Sequence, residues 1–516
     1  MLRNLLFLGA AALPAAAIAE PPRFDPVEVP DHVYSGGWEH FVGGGLAAFD
    51  CDGDNLPELF AAGGEAPASL LRNVSVRGGI VSFVRDTPPS LQLVGVIGAY
   101  PVDVDSDGML DLVVLRAGRN ELLRGGADCS FARFETLGFQ SPDQWTTAFS
   151  ATWETGQFLP TLAFGNYVDR TRSDGPFEAC DDNSLYRPAG PAYRTAAALS
   201  PGYCALSILY SDWNRQGQRD LRISNDRHYY VRGGQEQLWD MSGPPRLYTE
   251  QDGWQSFSLW GMGIASRDIS GDGVPELFLS SMGDQRLQER VPGQLGPFYR
   301  DVPFGTGTTA HRPFTGGDGR PSTGWHISFG DVQNDGLDDV FIAKGNVEQM
   351  PDSAMKDPNN LLIQKPNGTF AEFGDVAGVA SLGRSRGAVL MDFNLDGLLD
   401  LAVVNRRAPL EVYRNTSSDT GNWLSVRLEQ SAPNVDAVGA WIEVDDGTGI
   451  QAREITVGGG HAGGRAGPEH FGLGRAERVR LRVIWPDGPV SDWVEVSAGQ
   501  MLSASRSGRA VTVTAY

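Results

Sequence analysis

Apolar positions in this chain recur with a period of two and in short runs. Leu59/Ala61, Leu112/Val114, Leu221/Ile223, Leu277/Leu279, Val340/Ile342 and Leu401/Val403 are pairs of this kind, and alternation over so few residues marks β-strands, not helices. Each pair follows an acid-rich loop at the same offset. Each loop in turn follows small residues, as in Gly43-Gly44-Gly45-Leu46-Ala47-Ala48 and Gly387-Ala388-Val389-Leu390. Further strands such as Glu411–Asn415 and Asn360–Gln364 come next, the latter leading into the turn Asn367-Gly368, a hairpin signal.

The loops share one pattern, D-x-[DNS]-x-D-G-x-x-[DE] with some substitutions, starting at Asp50, Asp103, Asp212, Asp268, Asp331 and Asp392. Between the second and third lies a double gap in which Trp153 to Leu162 keeps the strand-loop-strand rhythm without the acids. With that copy included, the units are 50 to 63 residues apart. Units of this size, each with four short strands, predict an all-β chain: a seven-bladed β-propeller with calcium-binding loops, followed by a small C-terminal β-sandwich-like domain. The small residues would form crowded innermost strands. Phe373-Gly374-Asp375-Val376 reads as an outer strand of the sixth blade. Phe24 to Val29 occupies the same place before the first loop and should close the ring by completing the seventh, which removes open edges. The expected domains are residues 1–19 (signal peptide), 20–420 (propeller) and 421–516.

Acids at positions one, three, five and nine of a tight loop converge, and carboxylates that close repel one another. A hard divalent cation turns this into coordination by roughly six to eight oxygens, with a main-chain carbonyl at position seven; calcium suits such loops better than water-rich, octahedral magnesium. The candidate ligands are Asp50, Asp52, Asp54 and Glu58; Asp103, Asp105, Asp107 and Asp111; Asp212, Asn214, Gln216 and Asp220; Asp268, Ser270, Asp272 and Glu276; Asp331, Gln333, Asp335 and Asp339; and Asp392, Asn394, Asp396 and Asp400. About five or six calcium ions are expected. Gly108, Gly217, Gly273, Gly336 and Gly397 stand at position six for a left-handed turn, with Asn55 replacing glycine in the first loop. An EF-hand is excluded: position twelve is apolar and strands flank the loop.

The N-terminus changes the compartment. Arg3, the apolar run Leu5 to Ala17 and Ala17-Ile18-Ala19 read as a signal peptide, so a secreted or periplasmic protein is expected. A formal charge of -22 argues against nucleic-acid or anionic-lipid partners, and no run is long enough to span a membrane. The four cysteines suit two disulfides in an exported chain. Cys180 and Cys204 bracket one loop-like stretch, and Cys51 with Cys129 follows only by elimination.

The loops resemble FG-GAP/VCBS-type repeats, as in integrin α-subunit propellers. From Asn422 the chain resembles the ASPIC/UnbV domain, through Asn422-Trp423-Leu424, Val438-Gly439-Ala440, Gly458-Gly459-Gly460-His461, His470-Phe471-Gly472-Leu473-Gly474 and Trp485-Pro486-Asp487-Gly488. Together these look like the cartilage acidic protein family in its bacterial, secreted form, which implies calcium binding and an extracellular interaction role, with no established chemistry. The acid-free third loop and the acid-poor fourth depart from the pattern. Alternation in Leu424 to Leu428 and Val479 to Val483 predicts a small antiparallel sheet, in a sandwich packed beside blade seven. The run Gly458 to Gly463 matches G-x-G-x-x-G, but Gly464, Gly467 and Pro468 forbid the helix a dinucleotide site needs.

One stretch is a candidate for chemistry. His311 and Arg312, with Trp325 and His326 on the inner strand before the sixth loop, would bind or polarise a sugar or carboxylate at a channel mouth. The same residues would equally support the blade structurally. With no nucleophile triad, zinc motif or phosphate loop present, a protein- or glycan-binding module, monomeric, is the expected function; the alternative is a carbohydrate lyase or dehydratase with a site near His311 and His326.

Overall fold

The computed structural model describes residues 20–172, 179–226, 234–309 and 311–516; the expected signal peptide lies outside them. The described residues are all-β, with one helical turn among them, Gly374–Ala377, and a few 3-10 turns. Four-stranded antiparallel units follow one another along the chain. The first comprises Leu46–Phe49, Glu58–Ala61, Ser69–Asn73 and Phe83–Arg85. The second (Val96–Val102, Asp111–Arg119, Glu121–Gly126, Ser130–Arg133) and third (Asp143–Thr152, Thr161–Asn166, Asn183–Tyr186, Ala197–Leu199) join into one eight-stranded sheet where Asp143–Thr152 pairs with Asp111–Arg119. The fourth, fifth and sixth begin at Ala205–Ser211, Gly261–Arg267 and Gly324–Gly330. In the last unit Ser385–Met391, Asp400–Asn405 and Glu411–Asn415 are joined by Phe24–Val27, whose Phe24 pairs with Asn415 and Val27 with Val412.

The first strand of each unit touches that of the next, and Ser385–Met391 of the last touches Leu46–Phe49 of the first. The core lies between neighbouring sheets: Phe83 meets Phe393 at 5.4 Å and Phe278 meets Phe329 at 6.3 Å. Sandwiching on both faces explains why strands such as Glu276–Ser281 and Asp400–Asn405 are buried at every position, polar residues included.

Two expectations need correction. Phe373-Gly374-Asp375-Val376 is not an outer strand. Phe370–Glu372 fills that place, and the Glu372 carboxylate caps the turn that follows by accepting the Gly374 N–H at 2.7 Å. The C-terminal part is the sandwich expected, but it is not purely antiparallel and is not confined to the side of the seventh unit. It has two four-stranded sheets, one containing a parallel pair, Asn422–Glu429 with Gln500–Ser507; Leu424, Val426, Ile442, Phe471, Leu481, Val483 and Trp485 pack between them.

That sandwich sits on the loop end of the ring. Arg453 reaches Asp338 (3.2 Å), the Asn434 N–H reaches Ser106 Oγ (2.9 Å), and His470 Nε2 lies 2.7 Å from Asn334 Oδ1. Its Val457–Arg465 segment enters among the innermost strands, bridging the first strands of the first five units through Arg465, Gly463, Val457, Gly458 and Gly460. Backbone approach here is so close that a Cβ on Gly98 would stand 1.6 Å from the Ala462 carbonyl oxygen. The glycines of 458–463, which formally match the dinucleotide-binding pattern, serve this insertion.

Candidate metal centres

Each acidic loop joins the first and second strands of its unit, and local hydrogen bonds fold it. The position-one acid accepts N–H groups from positions five and six: Asp103 from Asp107 and Gly108 (3.2 and 2.8 Å), Asp331 from Asp335 and Gly336 (3.1 and 2.7 Å), Asp392 from Asp396 and Gly397 (3.1 and 2.7 Å). That wrap needs a left-handed residue at position six, and φ there is 71° at Asn55 and 80–91° at the five glycines. The position-five acid accepts the N–H of position seven in Asp54, Asp107, Asp272, Asp335 and Asp396, at 2.7–3.1 Å. The position-nine acid accepts the N–H of position two in Glu58, Asp111, Glu276, Asp339 and Asp400, at 2.9–3.0 Å.

In the first two loops three of the four candidate acids, at positions one, three and nine, come together, and Asp54 and Asp107 at position five are not in these groups. Asp50, Asp52 and Glu58, and likewise Asp103, Asp105 and Asp111, bring oxygens within 4.8 Å of one another. Burial, reinforced by neighbouring carboxylates, pushes Glu58 and Asp111 up to about 8 and Asp103 to about 7. The same causes push Asp392 to about 7, and burial with Asp272 pushes Asp268 to about 6; Asp339 and Asp400 also rise well above the carboxylate range. The second, fifth and seventh loops each leave a buried oxygen facing no donor: Asp105 Oδ1, Asp268 Oδ1 and Asn394 Oδ1. Acceptors of this kind, in an all-oxygen set, suit a hard cation.

Two loops are built differently. In the third, Glu154 remains beside the lost acids and pairs with Arg187 (2.7 Å) and Thr161 (2.8 Å). In the fourth, Asp220 takes its donors from the protein: Trp213 Nε1 and the Tyr248 hydroxyl (both 2.9 Å) and the Met241 N–H (3.0 Å). Asp212 accepts Gln216 and Gly217 N–H groups at 2.8 and 2.9 Å. Its Asn214 and Gln216 offer no further charge.

The four residues grouped as a candidate ligand site are not brought together. Trp325 is fully buried, with Nε1 donating to the Gly345 carbonyl at 2.7 Å. His326 Nδ1 accepts the backbone N–H of His461 at 3.1 Å, and burial holds it down to about 3. His311 and Arg312 line a separate groove of about 660 Å³ with Leu259, Trp260, Asp284 and Arg286, where His311 pairs with Asp284. This groove lies at strand ends opposite the loops. A chamber of about 600 Å³ between ring and sandwich includes His326, Arg267, Arg453 and Glu454. His461 went unmarked by sequence reasoning: its ring nitrogens lie 3.1 and 2.8 Å from the Met262 and Val42 carbonyls, contacts 199 and 419 residues away that leave no local signal. Both cysteine pairs are bonded, Cys51–Cys129 and Cys180–Cys204.

Comparisons place these features beside known proteins. Residues 331–403 match the FG-GAP-like repeat model and residues 430–510 the ASPIC and UnbV model. Among solved structures, BBS1N in complex with ARL6DN, soaked with mercury, aligns at a TM-score of 0.41 and 9% identity, covering 77% of this chain and 99% of that one; nothing is built on so distant a likeness. Cartilage acidic protein 1 of Mus musculus is 24% identical over 479 residues, 86% of this chain and 70% of that protein. The Homo sapiens protein is 24% identical over 494 residues, 89% and 71%. The chain thus carries an FG-GAP-like repeat and an ASPIC and UnbV domain, and over most of its length it is similar to cartilage acidic protein 1.

Proposed function

We propose that this chain is an exported, calcium-loaded, seven-bladed propeller of the cartilage acidic protein family, with domain limits near residues 20–420 and 421–516, acting as a binding module for a protein or glycan. The closed succession of inner strands and the Phe24–Val27 strand that completes the last unit support the propeller. Two disulfides fit an oxidising compartment, and no helix among the described residues is long and apolar enough to cross a membrane. The calcium assignment rests on one observation: a buried acceptor oxygen without a donor recurs in three of the acidic loops, at position three in the second and seventh and at position one in the fifth. Extended by shared sequence pattern to the first and sixth loops, the reading gives five ions, in the first, second, fifth, sixth and seventh loops. The fourth is left out because an indole, a phenol and a main-chain N–H already satisfy Asp220.

Binding is favoured over catalysis because the two histidines of the alternative site are apart. His326 is committed to the His461 N–H and held neutral, so it is no proton donor near pH 7. The sandwich covers the loop end, which leaves the opposite end, with the His311–Arg312 groove, or the rim to meet a partner. The test has two arms. Elemental analysis after dialysis against trace calcium should find about five ions per chain, and EDTA should lower the melting temperature reversibly; a metal-free protein with an unchanged melting curve refutes the assignment. A screen of glycans and of uronate, keto-sugar and ester substrates with wild type and Arg312→Ala should show binding lost in the variant and no turnover; turnover abolished by His326→Ala at unchanged stability would restore the enzyme.

A further inference from the structure

Arginine recurs at one register position in three of the looped units. Strand pairing fixes the register: Leu59 faces Leu71, Leu112 faces Leu123 and Leu401 faces Tyr413. The next residue on the third strand is Arg72, Arg124 or Arg414. The equivalent residues elsewhere are Asp240, Glu289 and Ile363, after Trp239, Gln288 and Leu362.

All three guanidiniums reach into their own loop. Arg72 Nη2 lies 2.8 Å from Asp52 Oδ2 and also holds Asp128 at 2.8 Å. Arg124 Nη2 lies 3.0 Å from Asp105 and 2.7 Å from Asp107. Arg414 Nη2 lies 3.1 Å from Asp396. These partners stand at positions three and five, where the loop backbone leaves carboxylate oxygens over. In the seventh loop the acids at positions one and nine, Asp392 and Asp400, receive main-chain donors on both oxygens.

We propose that Arg72, Arg124 and Arg414 are resident counter-cations: each holds its loop's acids in place when calcium is absent and competes with calcium when it is present. The inference rests on the calcium reading above. It reorders the sites. Counted by acids at positions one, three, five and nine, the first two loops, with four each, would bind tightest and the last three, with three each, would be equal, Asp338 of the sixth loop being offset by Arg453. With each arginine subtracted, the first, second, fifth and sixth loops all carry a formal charge near -3 and the seventh only near -2. The seventh loop is therefore the first to empty as free calcium falls.

The experiment is equilibrium dialysis of the full chain against buffered free calcium, with ions counted by elemental analysis. Wild type should lose one ion at roughly tenfold higher free calcium than the rest, the scale expected for a unit charge beside a divalent ion at a partly exposed site. Arg414→Gln should abolish that early step, Arg414→Lys should keep it, and Asp392→Asn should remove it together with one ion. The glutamine variant should also melt at lower temperature than wild type in EDTA. Earlier loss of the ion in Arg414→Gln, or an unchanged step, would overturn the proposal, since the arginine would then orient a ligand or do nothing. No ions in wild type would instead refute the calcium reading itself. If Arg414→Gln does not fold, Arg124→Gln, on a side chain 49% exposed, carries the test: one ion should then outlast all others.

Discussion

Gly98→Ala tests how firmly the inserted segment joins ring and sandwich. Gly98 lies in the innermost strand Val96–Val102 and is not in the left-handed region, so alanine brings no backbone strain there. The new Cβ would stand 1.6 Å from Ala462 O and 2.6 Å from Ala462 C. A relaxed carbon–oxygen contact is ~3.3 Å, so main chain, not a flexible side chain, must retreat by about 1.7 Å. Retreat on that scale breaks the His461 N–H bond to His326 (3.1 Å), both His461 ring contacts (3.1 and 2.8 Å) and the Gly464 N–H bond to Ala99 (3.3 Å). At about 1 kcal/mol each, the loss is roughly 4 kcal/mol. Urea unfolding should show it as a lower midpoint, and limited proteolysis should open a site between Val457 and Ala466. Because His461→Ala removes two of the same bonds, the double variant should cost little more than Gly98→Ala alone. A loss under about 1 kcal/mol with a protease-resistant segment, or full additivity, would mean the insertion does not bind the two parts together.

Stability without calcium should fall as pH rises: Glu58, Asp103 and Asp111 sit at about 8, 7 and 8, above ~4 in an unfolded chain. The native state thus holds protons that the unfolded state has released, a penalty absent below pH ~4 and full above ~8. In EDTA the melting temperature should drop from pH 5 to 8.5 and the increment from calcium should grow; a pH-independent increment would contradict the raised carboxyls. Asp111→Asn should lose one bound ion by elemental analysis and Asp220→Asn none, equal counts being the adverse result. Cys51→Ser/Cys129→Ser opens a link spanning 78 residues and should cost about 2–4 kcal/mol in urea unfolding, with an unchanged midpoint showing that the loop is constrained without it.

What could be read in the sequence was local. A loop whose first acid must take N–H groups from positions five and six needs glycine or asparagine at position six, so Asn55 and Gly108 were legible from spacing alone. The strand of Phe24 was legible because a ring has only one place for an unmatched edge. Contacts across the chain were not. Tyr248, 28 residues beyond Asp220, gives that carboxylate a hydroxyl donor that the loop pattern does not foretell. Asp338 looks like a spare acid beside the sixth loop, yet Arg453 seeks it 115 residues on. The glycines of 458–463 carry a motif whose local meaning is false, because what they fit is the backbone of strands hundreds of residues earlier.

Those long-range contacts bind the chemistry of the loops to the sandwich. Its Glu454 carboxylate accepts the Asp212 N–H at 2.8 Å and the Ser211 hydroxyl at 2.7 Å, and burial beside Asp212 pushes it up to about 8. Arg267, which precedes the fifth loop, faces Glu469 at 3.6 Å and Asp338 at 3.8 Å, while Gly472 lies against the Asp331 carboxylate. A divalent ion entering the fifth or sixth loop would cancel most of the local negative charge directly beneath these groups, and so change what the sandwich rests on. Binding free energies are reciprocal: if a filled loop favours the docked sandwich, the docked sandwich must raise that loop's affinity by the same factor. On the proposed calcium reading the C-terminal domain then enters the energetics of the loops, and the prediction is that a ring cut free at residue 420 binds calcium with a different affinity from the ring in the whole chain.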